Sequence, residues 1–341
     1  MSAHSLNAVL FVSARRFEAF RDRLAERSVV TTVLDFDNDD WITYDYSHTD
    51  ILIYFPAFKF SSNHPQALYE VHDNLAFIHA QYPMIRMFPD PRLIRYYADK
   101  YRQMLFLRHN AIPHPETLAL TDTRSLDRAE RNLGYPMVLK NRFGAGGDFV
   151  FIVNNRRQLE KYFRLSVLDL ANVDTVGHYL RLLTSRMFYY HLLKERRMAY
   201  PFISPPLLAQ KFIPHDVDLK TVVSNGKVVE AHWRRKADER AWKMNIDGGG
   251  IGEWSFVPDE PIALSERVGK ALNATWINLD LIQDNRQYLV TEFSPVWHHY
   301  RYHEKPSFVY KDDYNLPVPL DRALDLETLI VDSLVYSASR T

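Results

Sequence analysis

The chain has 341 residues, enough for two or three domains that each bury a core. Its 42 Lys and Arg residues balance 42 Asp and Glu, and it has no cysteine. These counts argue against a general attraction to nucleic acid or an anionic membrane, and they exclude a disulfide scaffold, a thiolate metal site and a cysteine nucleophile.

The first ninety or so residues alternate short apolar runs, "AVLFVS" and "DILIYF", with helical stretches such as "FEAFRDRLAERS". That rhythm predicts an open α/β sheet in a small nucleotide-fold-like domain. The segment "NAVLFVSARR" has too short an apolar run for a signal core and its charges on the wrong side, so it reads as a first buried strand. Nothing approaches a membrane span, and a cytoplasmic location is the expectation. The acidic run "LDFDNDDW" reads as a solvated loop. A helix over Pro91 to His109 then leads into a Pro-punctuated loop, the signature of a domain junction.

Between Gly134 and Asn155 the sequence "GYPMVLKNRFGAGGDFVFIVNN" reads as strand, glycine loop, strand, with a helix following. A Walker-type loop would pass phosphate to a helix N-terminus and end in Gly-Lys-Ser/Thr, and neither condition holds. A glycine-rich hairpin tip can still expose consecutive backbone N–H groups to an anion. Residues 165 to 205 have helical spacing and are locally basic, at Arg181, Arg186, Lys194, Arg196 and Arg197. Strands return in "LLAQKFI", "DLKTVVS" and "KVVEAHW", the last two joined by the hairpin signal Asn225-Gly226. "NRQYLVTEFS" adds a strand and "LDLETLIVDSLVYSAS" a closing helix.

Asp280 and Glu292 lie in successive apolar strand-like segments separated by "QDNRQ", so a hairpin can set their carboxylates face to face. Paired hard oxygens on rigid strands suit Mg²⁺ carrying a nucleotide phosphate. An unpaired carboxylate in "WINLDLI" would be costly to bury, so a cation partner is expected. Cations recur at strand ends: Lys140, Lys220, Arg234 and Arg235, with Lys243 and Asn245 ahead of Gly248, Gly249 and Gly250. Positioned cations and metal are the main requirement of phosphoryl transfer.

The succession Lys100, "YPMVLK" with Lys140, "GAGG", "LLAQKFI", "DLK", "RR", "WKMNIDGGG", the Asp280 strand and the Glu292 strand resembles the ATP-grasp enzymes, and within them the RimK-type carboxylate–amine ligases. The likeness covers about residues 91 to 300. It implies an α/β and α+β architecture: a small Rossmann-like pre-ATP-grasp domain over 1–92, a lid lobe over 93–206 with a helical insertion near 165–205, and a C-terminal lobe over 207–341 carrying metal and substrate sites. By the same resemblance Lys100 and Lys140 contact the α and β phosphates, and Gly144, Ala145, Gly146 and Gly147 form the lid tip. Gln210, Lys211, Phe212 and Ile213 make the hinge whose backbone reads adenine, and Asp218 approaches the ribose. Arg235 and Asn245 address the γ-phosphate and the acyl phosphate, Lys220 the substrate anion, while Asp280, Glu292 and Ser294 stand at the Mg²⁺ positions.

The activity implied is ADP-forming ligation of a small-molecule or peptide carboxylate to an amine through an acyl phosphate, with ATP as co-substrate and no nucleic-acid or membrane partner; homo-oligomerisation is left open. This chain departs from the family pattern at Ser294 where an Asn is usual, at Lys211 where an acid is common, and at Lys220 where an Arg often stands. Two rivals remain: an ATP-grasp enzyme forming a phosphate ester or thioester, and a nucleotide-binding interaction protein with decayed catalysis. A zinc site on His299 and His303, near His298 and Glu304, is a weaker alternative to a half-buried aromatic loop covering the acceptor pocket. Phe188, Tyr189 and Tyr190 read as core, with a peptide-docking surface beside Arg196 and Arg197 as the alternative.

Overall fold

The computed structural model describes residues 5–12, 16–36, 38–54, 65–143, 150–167, 169, 171–181, 184, 206–236, 250–253, 255–296, 308–309, 318–319 and 325–339. No helix among them is long and apolar enough to cross a membrane.

Three sheets carry the architecture. In the first, β1 (Asn7–Phe11), β2 (Val30–Leu34), β3 (Ile51–Ile53) and β4 (Arg86–Phe88) run parallel in the order β2-β1-β3-β4. Helix α1 (Phe17–Glu26), the short α2 (Asp40–Thr43) and α3 (Pro65–Gln81) connect these strands. Val9, Phe11, Leu52 and Ile53 are wholly buried, as strands covered on both faces require.

The expected helix over Pro91 to His109 is instead a 3₁₀ turn at Ile94–Tyr96 followed by α4 (Lys100–His109). The break lies at Ala98, with φ 52°, and at Asp99, whose side chain caps α4 by accepting from Arg102 N at 3.1 Å.

The second sheet runs β5-β8-β6-β7, from β5 (Thr117–Leu120), β6 (Met137–Lys140), β7 (Val150–Val153) and β8 (Leu207–Lys211). Helices α5 (Thr123–Leu133) and α6 (Arg156–Ser166) cover one face. Met137, Leu139, Leu207 and Ala209 point into that core, so strand alternation turns Val138, Lys140, Leu208 and Gln210 to the opposite face. Beyond α6 the described residues 173–181 are helical. Apart from Thr184, the rest of the helical stretch expected to 205 lies outside the described residues, with Arg186, Phe188, Tyr189, Tyr190, Lys194, Arg196 and Arg197.

The third sheet is antiparallel in the order β11-β10-β9-β12-β13, from β9 (Val217–Ser224), β10 (Lys227–Arg235), β11 (Ile251–Glu253), β12 (Trp276–Asp284) and β13 (Gln287–Ser294). Asn225 and Gly226, with φ 49° and 80°, make the tight turn between β9 and β10. Leu219, Val223, Ile277, Leu279 and Phe293 form one apolar face, on which helix α7 (Asp259–Leu272) packs. On the other face, Val222 joins the first core together with Trp276 and Val296. The C-terminal helix α8 (Leu326–Ala338) returns to the first sheet, burying Ile330, Val331 and Leu334 in that same core. Two β-bulges interrupt the third sheet, at Val229 in β10 and Thr291 in β13.

Helix α7 approaches the sheet closely at Gly269, where an added Cβ would lie 2.9 Å from Val223 Cγ1. Gly269→Ala gains about 1 kcal/mol of helix propensity, but overpacking a buried contact costs roughly 1–3 kcal/mol. A net loss of about 1 kcal/mol is expected by urea unfolding. Equal or greater stability of the variant would mean that the helix has room to withdraw.

Candidate functional site

The site is built on the face of the third sheet turned away from α7. Register places Glu292, Asp280, Lys220 and His232 on one rung across β13, β12, β9 and β10. Side chains directly opposite in neighbouring strands have Cβ atoms about 5 Å apart and share a face. Asp280 and Glu292 therefore stand side by side, a geometry that the bulge makes possible. Residues two apart on a regular strand share a face, so Val290, which is buried in the α7 core, would carry Glu292 in with it. The extra residue Thr291 reverses the alternation, and its hydroxyl donates to Asp280 O at 3.0 Å.

Two cations hold Asp280. Lys220 Nζ donates to Oδ1 at 3.0 Å, and Arg234 Nη2 lies 3.2 Å from Oδ2. Arg234 also grips Asp218 with two bonds, Nε to Oδ1 at 2.6 Å and Nη2 to Oδ2 at 2.9 Å. Burial alone would raise the Asp280 carboxyl, but the charges of Arg234 and Lys220 outweigh it and hold the group well below the carboxylate range. Burial, aided by the like charge of Asp280, holds Asp218 above its ordinary value in spite of Arg234. Burial would lower the Arg234 guanidinium, and the two carboxylates reverse that.

Lys100 and Lys140 enter from the other side. Lys100, buried at the start of α4, has its Nζ 4.0 Å from Glu292 Oε1. Its position is fixed by a clasp: Arg142 forks onto buried Asp99, with Nη2 to Oδ2 at 2.8 Å, and Lys100 N donates to Arg142 O at 2.9 Å. This clasp joins the end of β6 to the start of α4 and so brings Lys140 beside Lys100. Burial pulls Lys140 down to about 8, Lys100 pulls the same way, and Glu292 and Asp280 oppose.

Both lysines line a cleft between the second and third sheets. Its other lining residues include Met104, Leu107, His114, Thr117, Leu208, Gln210 and Val290. Backbone bonds tie the walls together, among them Val290 N to Pro113 O at 2.9 Å. Gln103 bridges them as well, accepting from Phe293 N and donating to Tyr96 O.

Several expected site residues are placed differently from the sequence reading. Arg235 is exposed on the opposite face of β10, bound to Glu253 at 2.7 Å. The arginine beside Asp280 is its neighbour Arg234, because the parity of β10 is set by its bulge. Asp218 faces Arg234, and that bidentate pair occupies both of its oxygens.

In the hinge, Lys211 N donates to Glu116 O at 2.8 Å and His215 Nδ1 lies 2.6 Å from Ile213 O, so two of the backbone groups expected to read a base already have partners. Ile213 is buried with Ile282 and Leu289, Phe212 is half-buried, and the Lys211 side chain is exposed. Ser294 Oγ is taken up locally, donating to Val296 O at 3.0 Å and accepting from Val296 N at 3.2 Å. Opposite it, Asn278 donates through Nδ2 to Ser294 O and Val296 O; its buried Oδ1 has no hydrogen-bond partner among the described residues. Gly144, Ala145, Gly146, Gly147, Lys243, Asn245, His298, His299, His303 and Glu304 lie outside the described residues.

Two facing carboxylates, with a buried amide oxygen two residues further along β12, are hard donors that fit Mg²⁺. Among the described residues no group of three or more His, Cys, Asp or Glu side chains could hold a metal ion. The donor set therefore suits an ion whose remaining ligands come from a bound phosphate.

The chain is similar to known proteins over most of the same residues. An ATP-grasp domain model matches residues 97–170, and a RimK-like ATP-grasp domain model matches 194–297. Tetrahydromethanopterin:alpha-L-glutamate ligase of Methanosarcina acetivorans is 27% identical over 194 residues, 57% of this chain and 52% of that protein. The chain spans about half the length of the curated relatives such as this one that it matches. Among solved structures, D-alanine–D-alanine ligase of Bacillus anthracis superposes with a TM-score of 0.58 at 13% identity, covering 98% of each chain. The ATP-grasp ligase PsnB, solved with a minimal precursor, Mg and ADP, gives a TM-score of 0.55 at 15% identity, covering 97% of this chain and 98% of that one. Both structural likenesses show a shared fold.

Proposed function

Because this chain belongs to the ATP-grasp proteins, in their RimK-like branch, we propose that it is an ADP-forming ligase that joins a carboxylate to an amine. The observation carrying this reading is the cluster in which Lys220 and Arg234 hold Asp280 and Lys100 faces Glu292, beside a cleft that Lys100 and Lys140 line. The small-molecule or peptide nature of the acceptors, and the division of the chain into a leading α/β domain and two gripping lobes, belong to the same proposal.

On this reading Lys100 and Lys140 neutralise the nucleotide phosphates, and Asp280 and Glu292 would hold Mg²⁺, which would supply further neutralisation of phosphoryl charge. Lys220 and Arg234 sit where charge develops on the transferred group, with Arg234 in the role expected of Arg235 and Asp218 orienting it. An acceptor carboxylate oxygen attacks the γ-phosphorus and the bond to ADP breaks. The amine nitrogen then attacks the acyl carbon, phosphate leaves, and the amide forms with loss of a proton from nitrogen. Phosphorylation makes a poor leaving group a good one, and an enclosed cleft protects the acyl phosphate from water. The same cleft would serve a thioester or phosphate ester product, and the acceptor requirement separates the cases.

The direct test is ADP release from Mg-ATP against pools of carboxylates and amines. Release that needs both, with an amide product by mass, is expected; nucleotide binding without turnover under any acceptor pair would contradict ligation. Arg234→Lys keeps the charge but not the forked bond, and should lower turnover roughly 10²-fold, whereas Arg235→Met should stay within about threefold of the parent, as an exposed ion pair contributes little.

Within the cluster four cations face three carboxylates, those of Asp218, Asp280 and Glu292, so a bare divalent ion meets net positive charge. Mn²⁺ followed by electron paramagnetic resonance should therefore bind weakly alone and at least tenfold more tightly with ADP. Equal binding with and without ADP would contradict this charge account.

Nucleotide affinity should also depend on pH through Lys140. The charged lysine attracts phosphate, and its charge is lost as pH rises through about 8. Calorimetry should show ADP binding weakening above that pH with proton uptake on binding, and Lys140→Met should remove the slope. A flat profile between pH 7 and 9.5 would contradict it.

A further inference from the structure

One wall of the cleft carries a hydrogen-bond chain whose direction can be assigned. Thr117 on β5 and Gln210 on β8 are register partners, and both are buried side chains that line the cleft. Thr117 Oγ1 lies 2.8 Å from Pro115 O, and a backbone carbonyl can only accept, so the hydroxyl proton points there. The Thr117 oxygen is left to accept, and it does so from Gln210 Nε2 at 2.9 Å. That bond fixes which end of the amide is which. Gln210 Oε1 is then a lone acceptor on the cleft wall, and nothing among the described residues donates to it.

The surroundings suit a flat apolar ring. Met104, Leu107, Leu208 and Val290 line the same space. Lys140 pairs with Leu208, two residues from Gln210 along β8. The acceptor and the Lys140 side chain therefore leave the same face of the sheet at neighbouring positions and line one cleft. Adenine offers an amino group at its six-position, a donor; guanine and hypoxanthine offer a carbonyl there, which would oppose Oε1.

We propose that Thr117 sets the base selectivity of this protein: by locking the Gln210 amide with its oxygen toward the ring, it selects a 6-aminopurine over a 6-oxopurine nucleotide. This rests on the reading of the cleft as a nucleotide site. Thr117 is a positioning residue, Gln210 the group that meets the base. Without the hydroxyl the amide turns freely and can present either end, so selectivity falls while binding persists. A mismatched buried polar pair of this kind is worth roughly ten- to hundredfold in affinity.

The test compares ADP with inosine diphosphate, which carries a carbonyl in place of the six-amino group, by calorimetry with Mg²⁺ on the full chain. The native protein should bind ADP at least tenfold more tightly. Thr117→Ser should keep that ratio, Thr117→Val should bring it to within about threefold, chiefly by improved binding of inosine diphosphate, and Gln210→Lys, which presents only donors, should reverse it.

Equal binding of the two nucleotides by the native protein would overturn the proposal and leave the nucleotide site standing. An unchanged ratio in folded Thr117→Val would do the same, and should that variant not fold, failure of Gln210→Lys to alter the ratio is decisive in its place. If the native protein binds neither nucleotide, the reading of the cleft fails and this inference fails with it.

Discussion

A buried guanidinium shared by two half-buried carboxylates is the interaction on which the site depends. Arg234 is 8% exposed and its partners Asp218 and Asp280 are 15% and 26% exposed, so the guanidinium above all has given up hydration. Such a cluster is stable only when geometry is fixed and every charge has a partner. The rigid antiparallel sheet supplies the geometry, with α7 and a continuous apolar face behind it. Lys220 supplies the second partner for Asp280, and Lys100 faces Glu292. Asp280 is thus held well below the carboxylate range in a place where burial alone would raise it, and an ionised carboxylate is what a hard cation requires.

The same logic explains why the site lies between sheets. Lys140 ends a strand of the second sheet, Lys100 begins a helix, and the other charges stand on the third sheet. No single element could gather so many like charges at close range. The Asp99–Arg142 clasp offsets part of the repulsion between the two lysines by tying their backbones together, and it is itself buried and bidentate. Depression of Lys140 to about 8 records the repulsion and desolvation that remain. On the proposed reading, a polyanion in the cleft would offset the repulsion between the two lysines.

Much of this was legible in the sequence, and the exceptions have physical causes. That the Asp280 and Glu292 strands pair as a hairpin follows from two apolar segments and a short turn, but the facing of the two acids also needs the bulge at Thr291, which nothing in "NRQYLVTEFS" marks. The open α/β rhythm of the first ninety residues corresponds to the parallel β1 to β4 sheet, and Asn225-Gly226 to the left-handed turn that such a pair favours. The choice between Arg234 and Arg235 was not legible. Adjacent residues on a strand face opposite ways, and one bulged residue, Val229, decides which faces the site. Nothing in "KVVEAHWRR" marks the bulge. The clasp and the Pro115–Thr117–Gln210 chain escaped for a related reason: their partners are 43 and 93 residues apart, and only the assembled sheets bring them together. Ser294 could be read as a departure from a family pattern, but its local bonds to Val296 and the orphaned amide oxygen of Asn278 across the strand are visible only in three dimensions.

The most direct measurement of the central claim is a crystal structure with Mg²⁺ and a non-hydrolysable ATP analogue. The account predicts the triphosphate between the Lys100 and Lys140 ammonium groups and the metal ligated by carboxylate oxygens of both Asp280 and Glu292. Triphosphate bound elsewhere, or a metal touching neither acid while Lys220 and Arg234 keep Asp280 to themselves, would contradict it.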